Sequence, residues 1–284
     1  MNTLLKSILM LLAVLTIATG FTAKPEKTYT ILIGPNDKNI SQTELNASAA
    51  IITRRLKDFG DGTFKVTALP EKSRISVELT GSSNPALVEK LITKKGVLGF
   101  YVVCPRDEFV KNLKDDDKLS SFLKASDKSG LSIGCTDAGG VTRANAYLET
   151  SGLKLLYQFA WSDFSDAKEY CLYALKINEK GEALAGNADI ESFKTDYDEQ
   201  GQPNGFGFNF RHEKVQLWAD ITGNNIGSAI AMVLDGSVIY TPMIHDKITG
   251  GKCQVTGRFS AEEIRYIVSI VNSGVLPAEF SVIK

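Results

Sequence analysis

The side chains that most often do chemistry are few in this sequence and scattered. Two histidines are present, His212 and His245. A histidine metal site or proton relay would have to use this pair, and they fall on different elements, so each reads as a surface or loop histidine. The four cysteines are Cys104, Cys135, Cys171 and Cys253. None forms a Cys-x-x-Cys pair, which argues against a zinc or dithiol redox motif. A Gly-x-Ser-x-Gly nucleophile turn is absent. Thr249-Gly250-Gly251-Lys252 has the ending of a phosphate loop, but Asp246 stands where its first glycine belongs and Cys253 where Ser or Thr should follow the lysine. It reads as a glycine turn. Asp196-x-Asp198-x-Gln200-Gly201 opens like a calcium loop and fails at the twelfth position, where Gly207 replaces the bidentate glutamate. Asp115, Asp116 and Asp117 are adjacent, so their carboxylates diverge, as in a solvated loop. Nothing singles out an acid–base pair among the 33 carboxylates. The expectation is a non-enzymatic chain with no catalytic, metal or cofactor site.

The N-terminus reads as an export signal. Lys6 precedes an apolar run from Ser7 to Ala18, and Ala18-Thr19-Gly20 offers the small residues a signal peptidase reads. A signal peptide over 1–20 and a periplasmic location follow; the alternative is an uncleaved N-terminal membrane anchor. No later stretch approaches the roughly 20 apolar residues a spanning helix needs. In an exported chain four cysteines suggest disulfides, with three pairings open. The preferred bridge is Cys104–Cys135, closing a polar connector that lacks a core of its own and contributing roughly 3–4 kcal/mol. The other reading leaves buried free thiols. A net charge of -1 argues against a nucleic-acid partner, and 43% apolar residues allow a sizeable core over one or two domains.

The elements alternate between strand and helix periods. Tyr29–Ile33 reads as a strand. Ser41-x-x-Glu44 is a capping box before a helix whose stripe is Leu45, Ala49, Ile52, Leu56 and Phe59, ended by Gly60. Alternation at Phe64, Val66, Ala68 and at Ile75, Val77, Leu79 gives two strands. Asn84-Pro85 starts a helix with Leu87, Val88, Leu91 and Ile92 on its inner face. Residues 105–153 lose this periodicity and read as a connector or insertion. Strands resume at Lys154–Phe159, Tyr170–Ile177 and Gly205–Phe210, and Val215–Ile221 is a short helix. Asp235-Gly236 signals a two-residue hairpin between Ser228–Leu234 and Ser237–Tyr240. Ser260-x-x-Glu263 caps a last helix carrying Ile264, Ile267, Val268 and Val271. Trp161 and Trp218 read as packing residues.

One pattern occurs twice. Val77-Glu-Leu-Thr-Gly81 is followed by a helix and Gly96-Val-Leu98; Cys253-Gln-Val-Thr-Gly257 is followed by a helix and Gly274-Val-Leu276. This predicts an α+β fold of two ferredoxin-like β-α-β-β-α-β type units, over 29–104 and 154–284, flanking the connector. The final strand, 278–283, is free to return to the first sheet.

A family resemblance rests on an ordered set of residues: Thr222-x-x-Asn225-x-Gly227, Ala231-Met-Val-Leu234-Asp235-Gly236, Val238, Pro242, Ile248-x-Gly250-Gly251, Thr256-Gly257, Phe259-Ser-x-Glu262 and Ser273-Gly274-Val-Leu276-Pro277. Arg54, Arg55, Leu56, Phe59 and Gly60, then Arg74 to Gly81, then Gly96 to Phe100 extend it into the first unit. These residues resemble the first periplasmic domain of SecD and SecDF of the bacterial protein-export machinery, whose base and head flank a variable middle. Tyr29-Thr-Ile-Leu-Ile-Gly-Pro35 replaces that family's Leu-Asp-Leu-x-Gly-Gly stretch. The family's membrane helices, which carry its proton coupling, have no counterpart before Lys284. The resemblance implies transient contact with unfolded or translocating polypeptide, or with an envelope or translocase protein. The rival readings are a structural or regulatory partner of a full translocase and, more weakly, an envelope hydrolase.

Overall fold

The computed structural model describes residues 27–37, 40–82, 84–113, 118–124, 129–162, 169–178, 180–257 and 259–283. The expected signal segment 1–20 and the Asp115–Asp117 run lie outside the described residues.

The first six elements are β1 (Thr28–Pro35), α1 (Gln42–Phe59), β2 (Thr63–Leu69), β3 (Arg74–Thr80), α2 (Pro85–Thr93) and β4 (Leu98–Cys104). The α1 capping box forms: Glu44 N–H donates to Ser41 Oγ (3.2 Å) and Ser41 N–H to Glu44 Oε2 (2.9 Å). Gly60 ends the helix at φ +70°. Asn84 Oδ1 accepts from Leu87 N–H at 3.2 Å, and Pro85 supplies the first turn of α2. Next come α3 (Arg106–Lys111), α4 (Leu119–Phe122), β5 (Gly134–Thr136), α5 (Ala138–Thr150), β6 (Tyr157–Ser162), β7 (Tyr170–Lys176) and β8 (Ala185–Gly186). The chain finishes with β9 (Ile190–Tyr197), β10 (Pro203–Phe210), α6 (Val215–Asn224), β11 (Ile230–Leu234), β12 (Ser237–Tyr240), β13 (Lys252–Thr256), α7 (Ala261–Ser273) and β14 (Phe280–Val282).

Among the described residues the α+β fold has three sheets. The first runs β14-β1-β3-β2 and is antiparallel throughout. Alternation buries Ile31, Ile33, Ile75, Val77 and Leu79 under the helices, while Thr30, Ser76 and Glu78 lie on the other face. The strand beside β1 comes from the chain's last element; β4, read in sequence as the close of the first unit, pairs instead with β11, β7 and β8. In the seven-stranded sheet the β4–β7 pairing closes a ring, β4-β7-β6-β12-β11. Val103, Ala160, Leu175, Ala231, Val233 and Val238 form one cluster, and small residues suit so narrow an interior. The opposite side chains of β4 and β11, including Phe100 and Met232, join the large core with α1, α7 and the sheet β13-β10-β9. There Phe100 meets Phe208, Phe210 and Trp218 at centroid distances of 5.5, 5.9 and 5.2 Å.

Three expectations are corrected here. The 105–153 connector has a core: Phe109, Leu119, Ile133, Ala144, Leu148 and Leu153 cluster with Cys104, Tyr157, Leu172 and Ala174 of the barrel strands. Its apolar residues come from several short elements and pack on one another and on the strands that flank the segment, so no single period runs through them. The Cys104–Cys135 bridge is also overturned: Cys135 is bonded to Cys171, and Cys104 is a buried free thiol. The antiparallel register of β5 and β7 sets Cys135 opposite Cys171, with Cα atoms 3.9 Å apart, whereas Cys104 faces Ala174 across the β4–β7 pair. The strand expected at Lys154–Phe159 is shifted: Leu153–Leu155 form a 3-10 turn and β6 starts at Tyr157.

Candidate functional site

The motif residues converge on two places. At the first, Arg55 lies on the buried stripe of α1, three residues after Ile52 and four before Phe59, and is fully buried. All five of its N–H donors are used. Nε–H donates to Ser273 Oγ (3.0 Å), Nη1 to Leu91 O (3.0 Å) and Lys94 O, and Nη2 to Lys95 O (3.0 Å) and Gly274 O (3.1 Å). Arg54 adds a bond to Ser273 O at 2.9 Å. One guanidinium therefore satisfies carbonyls at the C-terminal ends of both α2 and α7, where the helix dipole favours a cation. Burial pulls its pKa down to about 10, against the opposing charges of Asp235 and Tyr266.

The two Gly-Val-Leu repeats meet around this side chain. Gly96 and Gly274 adopt φ +90° and +93°, and a Cβ on Gly96 would stand 2.6 Å from Arg55 Nη2. Leu276 N–H donates to Lys95 O at 2.8 Å, joining one repeat to the other. The Asp235-Gly236 turn docks on the same segment, with φ +48° and +78° at its two residues. The Asp235 carboxylate accepts from Gly96 N–H (2.9 and 2.8 Å) and Val97 N–H (2.7 Å), and Asp235 N–H donates to Val97 O (2.9 Å). Asn187 finishes the junction, accepting from Leu98 N–H (2.7 Å) and donating to Gly96 O (3.0 Å).

The second place fastens the 241–251 loop to α6. Thr222 Oγ1 accepts from Ile248 N–H (2.9 Å), and Asn225 Nδ2 donates to Ile221 O (2.7 Å). Gly227 N–H reaches Ile244 O (2.8 Å), and Ile230 N–H reaches Pro242 O (3.1 Å). Gly251, at φ +63°, accepts from Phe210 N–H at 2.8 Å, next to Gly250. Gly257 sits under the rings of Phe259 and Tyr240. Leu234 and Leu276 are core, and Pro277 is exposed. The 196–201 segment is a hairpin turn in which Asp198 Oδ1 accepts from Gln200 and Gln202 N–H, at 3.0 and 2.8 Å. Among the described residues, no group of three or more His, Cys, Asp or Glu is placed to hold a metal ion.

Polar main-chain chemistry remains at the sheet edges, which differ in how they are covered. Outside β5, Lys124 pairs with Cys135 through two backbone bonds, 2.8 and 2.7 Å. At β9, Asn272 imitates a neighbouring strand: Phe193 N–H donates to its Oδ1 (2.9 Å) and its Nδ2 donates to Phe193 O (2.8 Å). At β13, Tyr240 Oη donates to Thr256 O (3.0 Å). Edge strand β2 carries Lys65, paired with Glu78 at 3.9 Å. Beside β14 lies a cleft of about 500 Å³, bounded by Asn36, Lys94, Lys95, Val97, Gly236 and Phe280. The role of Arg55 and the edge cap by Asn272 were not read from the sequence. A charged residue at core spacing within the α1 stripe was the available signal for Arg55; Asn272 had none, because its partner is 79 residues away.

Residues 167–278 match the family model described as the SecDF P1 head subdomain. Protein translocase subunit SecD of Elusimicrobium minutum is 30% identical over 241 residues, covering 82% of this chain and 44% of that protein. SecD of Acidaminococcus fermentans is 26% identical over 195 residues, covering 66% of this chain and 44% of the relative. The chain thus spans less than half the length of these relatives. Among solved structures, one described as a membrane component SecDF that enhances protein export has a TM-score of 0.53 at 22% identity, covering 90% of this chain and 98% of that one. SecDF in a super-membrane-facing form gives 0.54 at 21%, covering 91% and 30%. Both show the shared fold. Among the described residues no helix is long and apolar enough to cross a membrane. Family model, sequence relatives and fold agree: this chain is related to the SecD and SecDF translocase subunits and carries a P1-head-like segment over residues 167–278.

Proposed function

We propose that this chain is a non-enzymatic, periplasmic SecD-like domain that binds unfolded polypeptide transiently and assists its export. The P1 head match over 167–278 carries the reading. Its physical means is main-chain pairing of an extended client with a sheet edge. Binding is micromolar or weaker, because an extended chain loses conformational freedom on docking. Titrating a reduced, carboxymethylated unfolded protein against the chain, followed by fluorescence anisotropy, tests this. Saturable binding that survives replacement of His212 and His245 by Gln supports it; no association at hundred-micromolar concentration rejects it.

The rival reading is a structural partner of a full translocase. It draws on an apolar surface: Leu155, Leu156 and Val110 are 84, 58 and 53% exposed. An Asn112–Tyr157 bond of 3.0 Å brings their two segments together. Crosslinking in the envelope that captures one folded protein through these residues, with no unfolded client, favours that reading.

A further inference from the structure

Resting on the polypeptide-binding reading, we infer that the client edge is β14, with the adjoining cleft as the binding site for an extended peptide segment. The bonds to β1 identify which groups are already paired. Asn36 N–H donates to Glu279 O (2.8 Å) and Ile283 N–H to Leu32 O (2.8 Å), with Ser281 opposite Gly34 between them. Strand alternation then turns the N–H and C=O of Phe280 and Val282 away from β1. Among the described residues these groups have no backbone or side-chain partner. A row of alternating donors and acceptors is what another β-strand satisfies.

The edges at β9, β5, β13 and β2 each carry at least one covering or charged group. Asn272 occupies β9, Lys124 pairs outside β5, Tyr240 caps the end of β13, and a lysine guards β2. The middle residue of β14, Ser281, is exposed and uncharged. Beside it the cleft of about 500 Å³ has Phe280 in one wall and Val97, 45% exposed, in the other. The rest of its lining, Asn36, Thr93, Lys94, Lys95, Asp235 and Glu279, is polar, so the space suits a polar client side chain such as Thr. Asp235 keeps its charge while accepting from the Gly96 and Val97 amides, so the rim sets Lys94 and Lys95 against Asp235 and Glu279.

The test uses a fluorescent ten-residue peptide of alternating Val and Thr. Its comparison is the same peptide N-methylated at every residue, which cannot pair as a strand on either side. The full chain is compared with Val282→Pro, which removes one outward N–H while leaving the bonds to β1, and with Val97→Trp, which fills the cleft from an exposed position. Thermal melts confirm folding of both, and Val97→Trp keeps the test decisive where the proline variant does not fold. At least tenfold weaker binding for the methylated peptide and for a folded variant is the expected result. Equal affinity in those comparisons overturns the β14 site. Unfolded protein that still binds the two variants normally leaves polypeptide binding standing and moves its site elsewhere. Loss of all binding to the unmodified chain defeats both.

Discussion

Replacing Arg55 by Met keeps an unbranched chain of similar reach and removes every donor. Of the acceptors left behind, Lys95 O retains Leu276 N–H, and Ser273 Oγ still donates to Ile270 O. Leu91 O, Lys94 O and Gly274 O lose the guanidinium. Orphaned buried carbonyls cost about 1–3 kcal/mol each, so the loss is roughly 3–9 kcal/mol. Against it stands the burial cost of the charge itself: a pKa drawn from 12.5 to about 10 corresponds to ~3 kcal/mol returned on removing the cation. A net destabilisation of about 3 kcal/mol remains, a fall in Tm of ~6–12 °C at the 2–4 °C per kcal/mol of a chain this size. Calorimetry at pH 7 should show this fall in one transition. Hydrogen exchange should speed up at residues 91–97 and 273–276 together, because one side chain closes both helix ends. Arg54→Met, which loses a single partly buried bond, serves as control and should move Tm by less than ~3 °C. An Arg55→Met protein melting like its control, or exchange rising at one helix end alone, would refute the idea that this arginine joins the two repeats.

Non-reducing peptide mapping should recover Cys135 linked to Cys171 and Cys104 as a thiol, and the Cys135→Ala/Cys171→Ala protein should lose about 4 kcal/mol for a span of 36 residues. Asp235→Ala strips the Gly96 and Val97 amides of their acceptor and should lower stability by roughly 2 kcal/mol in urea titrations, with the slope unchanged. Burial lifts the Cys253 thiol from 9.0 to about 12, so between those values the folded chain keeps a proton the unfolded chain releases. That stability is complete below pH 9 and lost as pH rises through about 12; Cys253→Ala should therefore show a shallower decline in Tm from pH 9 to 11.

The legible parts of this protein are those whose bonds close within a few residues. The capping boxes at Ser41 and Ser260, the proline start of α2 and the Asp235-Gly236 turn all satisfy their backbone groups locally, so residue types reveal them directly. The Gly-Val-Leu repeats were visible as well, but not that they face each other across Arg55, since that contact joins residues 219 apart. Strand partners were the least legible. A strand that buries both faces, as β4 does between the barrel interior and the large core, carries no mark of which edge it will join. The tertiary structure alone decided that β14 closes the first sheet and that Cys171, not Cys104, meets Cys135. It also decided that the aperiodic 105–153 segment finds its core on β4, β6 and β7. The reason is the same each time: sequence records what one chain segment wants to bury, and only packing settles which distant surface it is buried against.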